Sequence, residues 1–241
     1  MKCVYQDAQY AVFDDVLGEN DFDLLWRCIQ IQEHRSVHHD SWHRIWPLHA
    51  KAALRSPILY SSFPDDIEMG PGCVYPSGTA MDLIVALLLK HAQDLEPWTG
   101  EQNKDWTAVT ACSYLYPSGS ELSWHHDRFY SGAYTFYAHP FWNSAWGGEL
   151  MLADSTCQNW STPKEEVMGL EEKRSLPAAL DNRAENLRLM DPGIGHFVMA
   201  KPNRLVVVKG GVYHRINPVS AAAGHHVRCS VSGFFETILP A

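Results

Sequence analysis

The sequence predicts an α+β fold in which helices flank an antiparallel sandwich or jelly roll. Two helical patterns precede residue 106, and from Trp106 onward the chain changes to short runs rich in Val, Tyr, Phe and Thr, broken by Gly and Pro. An apolar content of 46% in 241 residues suits one large core. We therefore expect a single domain, with a strand and supporting helices in 1–105 and the β core in 106–241.

The N-terminal part begins with a short predicted strand over 9–16. A helix is expected over 21–34, where apolar residues recur at helical spacing. Proline and glycine punctuate 56–78, which predicts a loop. Thr79 is then expected to cap a helix whose nearly continuous apolar character, AMDLIVALLLKHAQDL, indicates packing on more than one side.

The C-terminal part contains six predicted strands and one long interruption. The residues 155–195 break the rhythm of the strands and carry many charges, so we expect an insertion there that either closes over a site as a lid or is solvated. The six strands are expected near 106–117, 122–127, 133–140, 147–154, 204–211 and 227–236.

The composition limits the possible partners and the compartment. A formal charge of −9 argues against a nucleic-acid partner, because tracking phosphates needs clustered Lys and Arg. No run approaches the length of a membrane span, and the N-terminus lacks the apolar stretch of a signal peptide. Six scattered cysteines without a CxxC pair are typical of reduced thiols, so we expect a cytoplasmic protein without membrane contact.

The triplet His125-His126-Asp127 is a candidate metal site. Side chains two apart on a strand project from one face, so the imidazole of His125 and the carboxylate of Asp127 are expected to converge. The earlier pair His38 and Asp40 has the same spacing, but it follows a helical pattern with no strand signal and is better interpreted as a solvated turn.

A third ligand would complete a 2-His-1-carboxylate facial triad, which binds Fe(II) and leaves coordination positions open. His214 follows the strand-like run RLVVVKGG and is the first candidate. His196, in PGIGHFVMAKPN, is a rival.

Together these residues resemble the Fe(II)/2-oxoglutarate-dependent oxygenases, particularly their prolyl 4-hydroxylase-like branch. The resemblance covers about 106–236 and implies a double-stranded β-helix, a cupin-like jelly roll. It favours His214 over His196, because the distal histidine of the family follows the penultimate strand. The motifs appear in the family's order: Tyr116 with Gly119, His125-x-Asp127, Trp146-Gly147-Gly148-Glu149-Leu150, His214 and Arg228.

The resemblance also implies a 2-oxoglutarate site. Arg228 matches the arginine that anchors the distal carboxylate, and a planar guanidinium suits that task because it donates two parallel charge-assisted bonds. Ser230 could add a hydroxyl donor. Tyr116 and Tyr137 match tyrosines that bond to the co-substrate, with Tyr134 as a competitor of Tyr137. Gly147 and Gly148 are expected to permit a bulge or a close backbone approach near the iron.

The implied activity is that of a dioxygenase with Fe(II), 2-oxoglutarate and O2. It would hydroxylate an unactivated C–H bond and release succinate and CO2. Asp127 favours hydroxylation over halogenation, because related halogenases lack that carboxylate. A small molecule, an amino acid or a peptide could be the substrate, and the oligomeric state stays open. The alternative is a non-oxygenase cupin-like module that binds a metal or a small ligand.

Overall fold

The computed structural model describes residues 1–37, 53–62, 72–157, 189–191 and 193–237. These ranges form three α-helices and fourteen strands. The helices are α1 (Glu19–Ile31), α2 (Asp82–Lys90) and α3 (Ala92–Thr99); the strands are β1 (Lys2–Gln6), β2 (Tyr10–Asp14), β3 (Arg35–Ser36), β4 (Leu54–Arg55), β5 (Ile58–Tyr60), β6 (Gly72–Val74), β7 (Trp106–Tyr116), β8 (Leu122–His125), β9 (Tyr130–Tyr137), β10 (Leu150–Ala153), β11 (Gly195–Val198), β12 (Leu205–Lys209), β13 (His214–Ile216) and β14 (Arg228–Thr237).

Two mainly antiparallel sheets build the jelly roll. The major sheet runs in the order β1-β2-β12-β9-β14-β7-β4-β3, and β5 joins it by pairing with β7. The minor sheet runs β11-β10-β13-β8. The predicted α+β class with a double-stranded β-helix core is confirmed.

Alternation along the central strands separates two apolar layers. On β12, Leu205 and Val207 pack into the core under the helices, whereas Val206 and Val208 pack between the two sheets. A strand that is buried on both faces reads as a continuous apolar run, which is why RLVVVKGG shows no polar alternation. The space between the sheets is where the predicted site residues lie.

The helices cover the outer face of the major sheet, with Leu25 and Ile29 of α1 fully buried there. The predicted second helix is two helices, because the chain turns at His91 (φ −102°, ψ 16°). The predicted cap by Thr79 is wrong. Instead, the carboxylate of Asp82 accepts bonds from the backbone of Ser77 and Gly78 and so fixes the turn that leads into α2.

The predicted loop over 56–78 is wrong in part, because β5 and β6 lie within it and pair with each other in parallel. Pairing of β5 with the central strand β7 outweighs the local proline and glycine signals. The earlier His-x-Asp pair, at 38 and 40, lies outside the described residues, as does most of the predicted 155–195 insertion. No helix in the described ranges has the length and apolarity needed to cross a membrane.

Candidate active site

The register of the minor sheet brings two of the predicted ligands together. His214 on β13 lies directly opposite His125 on the antiparallel strand β8. Their ring centroids are 4.3 Å apart, with an angle of 57° between the ring planes. Residues 89 positions apart in the sequence thus become neighbours because the two strands pair.

Asp127 completes the group from a turn and not from the strand. β8 ends at His125, and the Asp127 carbonyl accepts a bond from the Tyr130 amide at 3.0 Å. The expectation that both residues share one strand face is therefore wrong, although their side chains do converge. One ligand atom from each of His125, Asp127 and His214 lies within 4.8 Å of the others.

Hydrogen bonds orient His214 toward this centre. Its Nδ1 lies 2.8 Å from the Val212 carbonyl, so Nδ1 carries the proton and Nε2 faces Asp127 Oδ2 at 3.3 Å. Burial opposes the charge on Asp127, but the bond that a protonated His214 donates from Nε2, together with the nearby imidazoles, holds the pKa of the carboxyl below its ordinary value. An ionised carboxylate and imidazole nitrogens that face one point suit a divalent iron.

His196 does not join this group, although it faces the same interior. In the register of the minor sheet, Leu152 separates it from His214. Two strand spacings amount to roughly 10 Å, too far for a shared ion. The His196 Nδ1 instead bonds with the Tyr10 hydroxyl at 2.9 Å, which links the open edges of the two sheets.

Arg228 lies deeper between the sheets and is fully buried. Its guanidinium stands between two tyrosine rings, 5.1 Å from the centroid of Tyr116 and 4.9 Å from that of Tyr137. Its Nε donates to the Gly148 carbonyl at 2.7 Å, and Nη1 lies at a long 3.4 Å from Ser230 Oγ. These contacts fix the guanidinium plane.

The remaining guanidinium nitrogen is unsatisfied. Arg228 Nη2 is buried without a hydrogen-bond partner in the described part of the chain, and no carboxylate there lies within ion-pair distance. A buried charge without an anion is costly, so this arrangement fits an anionic ligand. The carboxylate of 2-oxoglutarate matches that requirement in charge and in geometry.

The glycine pair permits this arrangement, but not at the iron as expected. Gly147 and Gly148 have φ values of +73° and +75°. A Cβ atom on Gly148 would lie 2.8 Å from Arg228 Cδ, and one on Gly147 would lie 2.2 Å from the Pro218 carbonyl oxygen. Only glycine therefore lets this backbone approach Arg228 closely enough to accept its bond.

The two competing tyrosines occupy different environments. Tyr134 Oη donates to the Thr110 carbonyl at 2.8 Å and packs in the core under the helices. Tyr137 faces Arg228, and its buried hydroxyl has no well-formed hydrogen bond with the described residues. Burial raises the pKa of this phenol, and Arg228 only partly opposes that effect. A neutral hydroxyl that lacks a partner is suited to donate to a carboxylate.

Sequence reasoning missed two features of the site. The first is a ladder of hydroxyls in which Thr135 and Ser232 continue from the predicted Ser230. The hydroxyls are joined at 3.0 and 3.4 Å, and the ladder runs from the cavity beside the metal group toward Arg228. The sequence carried a signal for this ladder, because residues 230 and 232 are polar and lie on one face of β14, and the polar residue 135 lies on the same face of β9.

His139 is the second missed residue. It is fully buried, and its Nδ1 accepts from the Cys229 amide at 3.1 Å while Nε2 lies 2.7 Å from the Ala200 carbonyl. Burial lowers the pKa of His139 to about 4, so the ring is neutral. It holds the backbone between Arg228 and Ser230 in place.

The jelly roll thus holds two histidines and a carboxylate close together, next to a buried arginine that forms no ion pair within the described residues. This combination defines the class of non-haem iron oxygenases that use a 2-oxo acid. The model of the family described as "2OG-Fe(II) oxygenase superfamily" matches residues 110–236. The chain belongs to this superfamily and is an Fe(II)- and 2-oxoglutarate-dependent dioxygenase. Membership favours this prediction over the cupin-like alternative. No match is found among curated proteins.

Similar solved structures share the fold across nearly the whole chain. A prolyl-4-hydroxylase from Pseudomonas putida is 16% identical with a TM-score of 0.57, over 96% of this chain and 94% of that one. A Trichoplax adhaerens prolyl hydroxylase, in complex with a hypoxia inducible factor peptide fragment, is 14% identical with a TM-score of 0.56 (95% and 84%). HygX from Streptomyces hygroscopicus, with nickel and 2-oxoglutarate bound, is 10% identical with a TM-score of 0.53 (93% and 81%).

Proposed function

We propose that this dioxygenase hydroxylates an unactivated C–H bond of a small molecule, amino acid or peptide, with His125, Asp127 and His214 as its iron ligands. The observation that carries the proposal is the convergence of these three side chains within 4.8 Å beside a buried Arg228 that pairs with no carboxylate of the described residues. When bound, Fe(II) supplies the activation of O2 that couples decarboxylation of 2-oxoglutarate to oxidation of the substrate.

Neighbouring groups of the protein orient the side chains that would bind the metal. The Val212 carbonyl keeps the proton of His214 on Nδ1, so that Nε2 stays free to donate its lone pair. Asp127 would contribute a negative charge and would hold the iron where a halide would otherwise bind, which supports hydroxylation as the outcome. The pairing of β8 with β13 holds both imidazoles in place before any ion binds.

Other residues orient the co-substrate. Arg228 and the Tyr137 hydroxyl offer donors to its distal carboxylate, and Ser230 lies beside them. Tyr116 shields the guanidinium from the opposite side, which keeps water away from the ion pair and strengthens it. Each of these roles is supported by burial and by the direction in which the side chain points.

The substrate would enter on the side of the cavity that faces away from Arg228. Val208 and Phe234 line this side of the cavity, whereas Tyr114 and Leu150 line it nearer to Arg228. Its mixture of aromatic and aliphatic walls suits an organic substrate of modest size or one residue of a peptide. The peptide bound to the Trichoplax relative makes peptides a reasonable arm of a substrate screen.

The test is succinate release from 2-oxoglutarate, screened over amino acids, peptides and small biosynthetic intermediates. We expect succinate to depend on both Fe(II) and 2-oxoglutarate and to rise with a substrate that gains one oxygen atom by mass spectrometry. Product with a halogen, or succinate release that persists in His125→Ala, would overturn the proposal.

A further inference from the structure

Glu236, near the end of β14, faces the interior at the open end of the jelly roll. Side chains alternate along this strand: Phe235 is buried under the helices, whereas Ser232 and Phe234 line the cavity beside the metal group. Glu236 lies two residues after Phe234 and four after Ser232, so its side chain projects from the same, cavity-facing side of the sheet. Arg228 on this same face is assigned to 2-oxoglutarate, whereas Glu236, eight residues further along the strand, has no role in binding the metal or the co-substrate.

Aromatic side chains lie on both sides of this carboxylate, Tyr130 on the adjacent strand β9 and Tyr60 on β5, which lies beyond β7. Tyr130 on β9 is the register partner of Glu236, and its ring stacks on Phe234 with centroids 4.0 Å apart. On the other side the partner is Ala108 of β7, whose small side chain leaves room next to Tyr60. Because Leu59 is buried under the helices, Tyr60 projects from the same face as Glu236.

None of the cationic side chains in the described ranges balances this carboxylate. In the parts of the chain that the structure describes, Glu236 forms no ion pair, although it is largely shielded from solvent. Arg55 on β4, the register partner of Tyr114, acts on the Tyr60 phenol from the same face of the sheet, but it forms no ion pair with Glu236. Burial raises the pKa of Glu236 to about 7, which expresses the cost of leaving its charge unpaired.

The site is continuous with the metal centre. Tyr130 ends the turn that begins at Asp127, since its amide donates to the Asp127 carbonyl. Phe234 lines the cavity of the metal group and touches Tyr130. A ligand held at Glu236 would therefore lie next to the cavity that His125, Asp127 and His214 line.

We propose that the substrate of this enzyme is cationic, with an amine or guanidinium group held by Glu236 between the rings of Tyr60 and Tyr130. A carboxylate and the faces of electron-rich rings both attract a cation, and the attraction grows as water is excluded. The inference rests on the proposed function, because it assigns the substrate of that same site. A free amine and a lysine or arginine side chain of a peptide share this chemistry.

The test uses the enzyme loaded anaerobically with Fe(II) and 2-oxoglutarate at pH 8, where Glu236 is charged. Two matched pairs of probes separate charge from shape: n-pentylamine against 1-pentanol, and a lysine-containing peptide against the same peptide with acetyl-lysine. Binding is measured by the change in the visible charge-transfer band, and succinate release is measured afterwards in air. The variants are Glu236→Gln and, as a control for charge, Glu19→Gln at the exposed start of α1.

We expect the cationic member of at least one pair to bind about tenfold more tightly than its neutral partner in the wild type and in Glu19→Gln, and Glu236→Gln to lose this preference. A preference in the pentylamine pair indicates a free amine as substrate, and a preference in the lysine-peptide pair indicates a peptide. Equal binding of both members in both pairs, or a preference that survives Glu236→Gln, overturns the inference. Failure of the holoenzyme to form the charge-transfer band would instead overturn the proposed function.

Discussion

Replacing Arg228 with Met removes the guanidinium but keeps most of the buried volume. The structure leaves one guanidinium nitrogen, Nη2, unpaired and a second, Nη1, weakly engaged at 3.4 Å. Two charge-assisted bonds to a carboxylate are worth about 3 to 5 kcal/mol together. The affinity for 2-oxoglutarate should therefore fall by a factor of about a hundred to several thousand.

The assay is a titration of the Fe(II)-loaded protein with 2-oxoglutarate under anaerobic conditions, followed by the charge-transfer band. Affinity for Fe(II) should be unchanged, because Arg228 contacts no metal ligand. Without 2-oxoglutarate the variant should be as stable as the wild type or more stable, because an apolar side chain replaces a buried charge that has no anion. An affinity for 2-oxoglutarate within threefold of the wild type would refute the role of Arg228.

Three further predictions concern the metal ligands, the tyrosines and a buried ion pair. Asp127→Ala should abolish Fe(II) binding, measured by metal analysis after dialysis, while circular dichroism stays unchanged; retention of one iron per chain would contradict the ligand assignment. Tyr137→Phe should weaken 2-oxoglutarate binding about tenfold through loss of one hydrogen bond to a charged group, whereas Tyr134→Phe should leave it unchanged; equal effects would remove the distinction between these tyrosines. Asp14 accepts bonds from Arg204 at 2.7 Å and from Lys201 at 2.6 Å, and these outweigh burial and lower its pKa. Its contribution is present above its ordinary pKa of about 3.9 and is lost as the pH falls through the lower folded value. Asp14→Asn should therefore cost about 2 kcal/mol in urea unfolding at pH 7, with a smaller decline in stability than the wild type below pH 4; parallel pH profiles would refute this.

Much of the site could be predicted because its residues sit in local patterns. His125-x-Asp127 and His214 are each preceded by a strand, and the order of motifs along the chain supplies the rest of the site. The prediction that Asp127 lies on the same strand as His125 was wrong. Two ligands that are two residues apart can converge from one strand or, as here, from the end of a strand and the turn that follows it. A pattern of two residues does not distinguish these geometries.

Residues that depend on pairing between distant strands could not be predicted. His139 supports Arg228 only because the end of β9 meets β14, and no local motif marks it. Glu236 gains its aromatic neighbours from β9 and β5, more than 100 residues earlier. The choice between His214 and His196 is likewise a matter of register: His214 lies opposite His125, whereas His196 lies three strands away from His125.

The most direct measurement of the central claim is the anaerobic visible spectrum of the protein with Fe(II) and 2-oxoglutarate added separately and together. A metal held by three side chains, next to an arginine that binds the far carboxylate, should give a charge-transfer band only when both are present, with one iron and one 2-oxoglutarate per chain. A band that is absent with both added, or that is unchanged in His214→Ala, would contradict this arrangement.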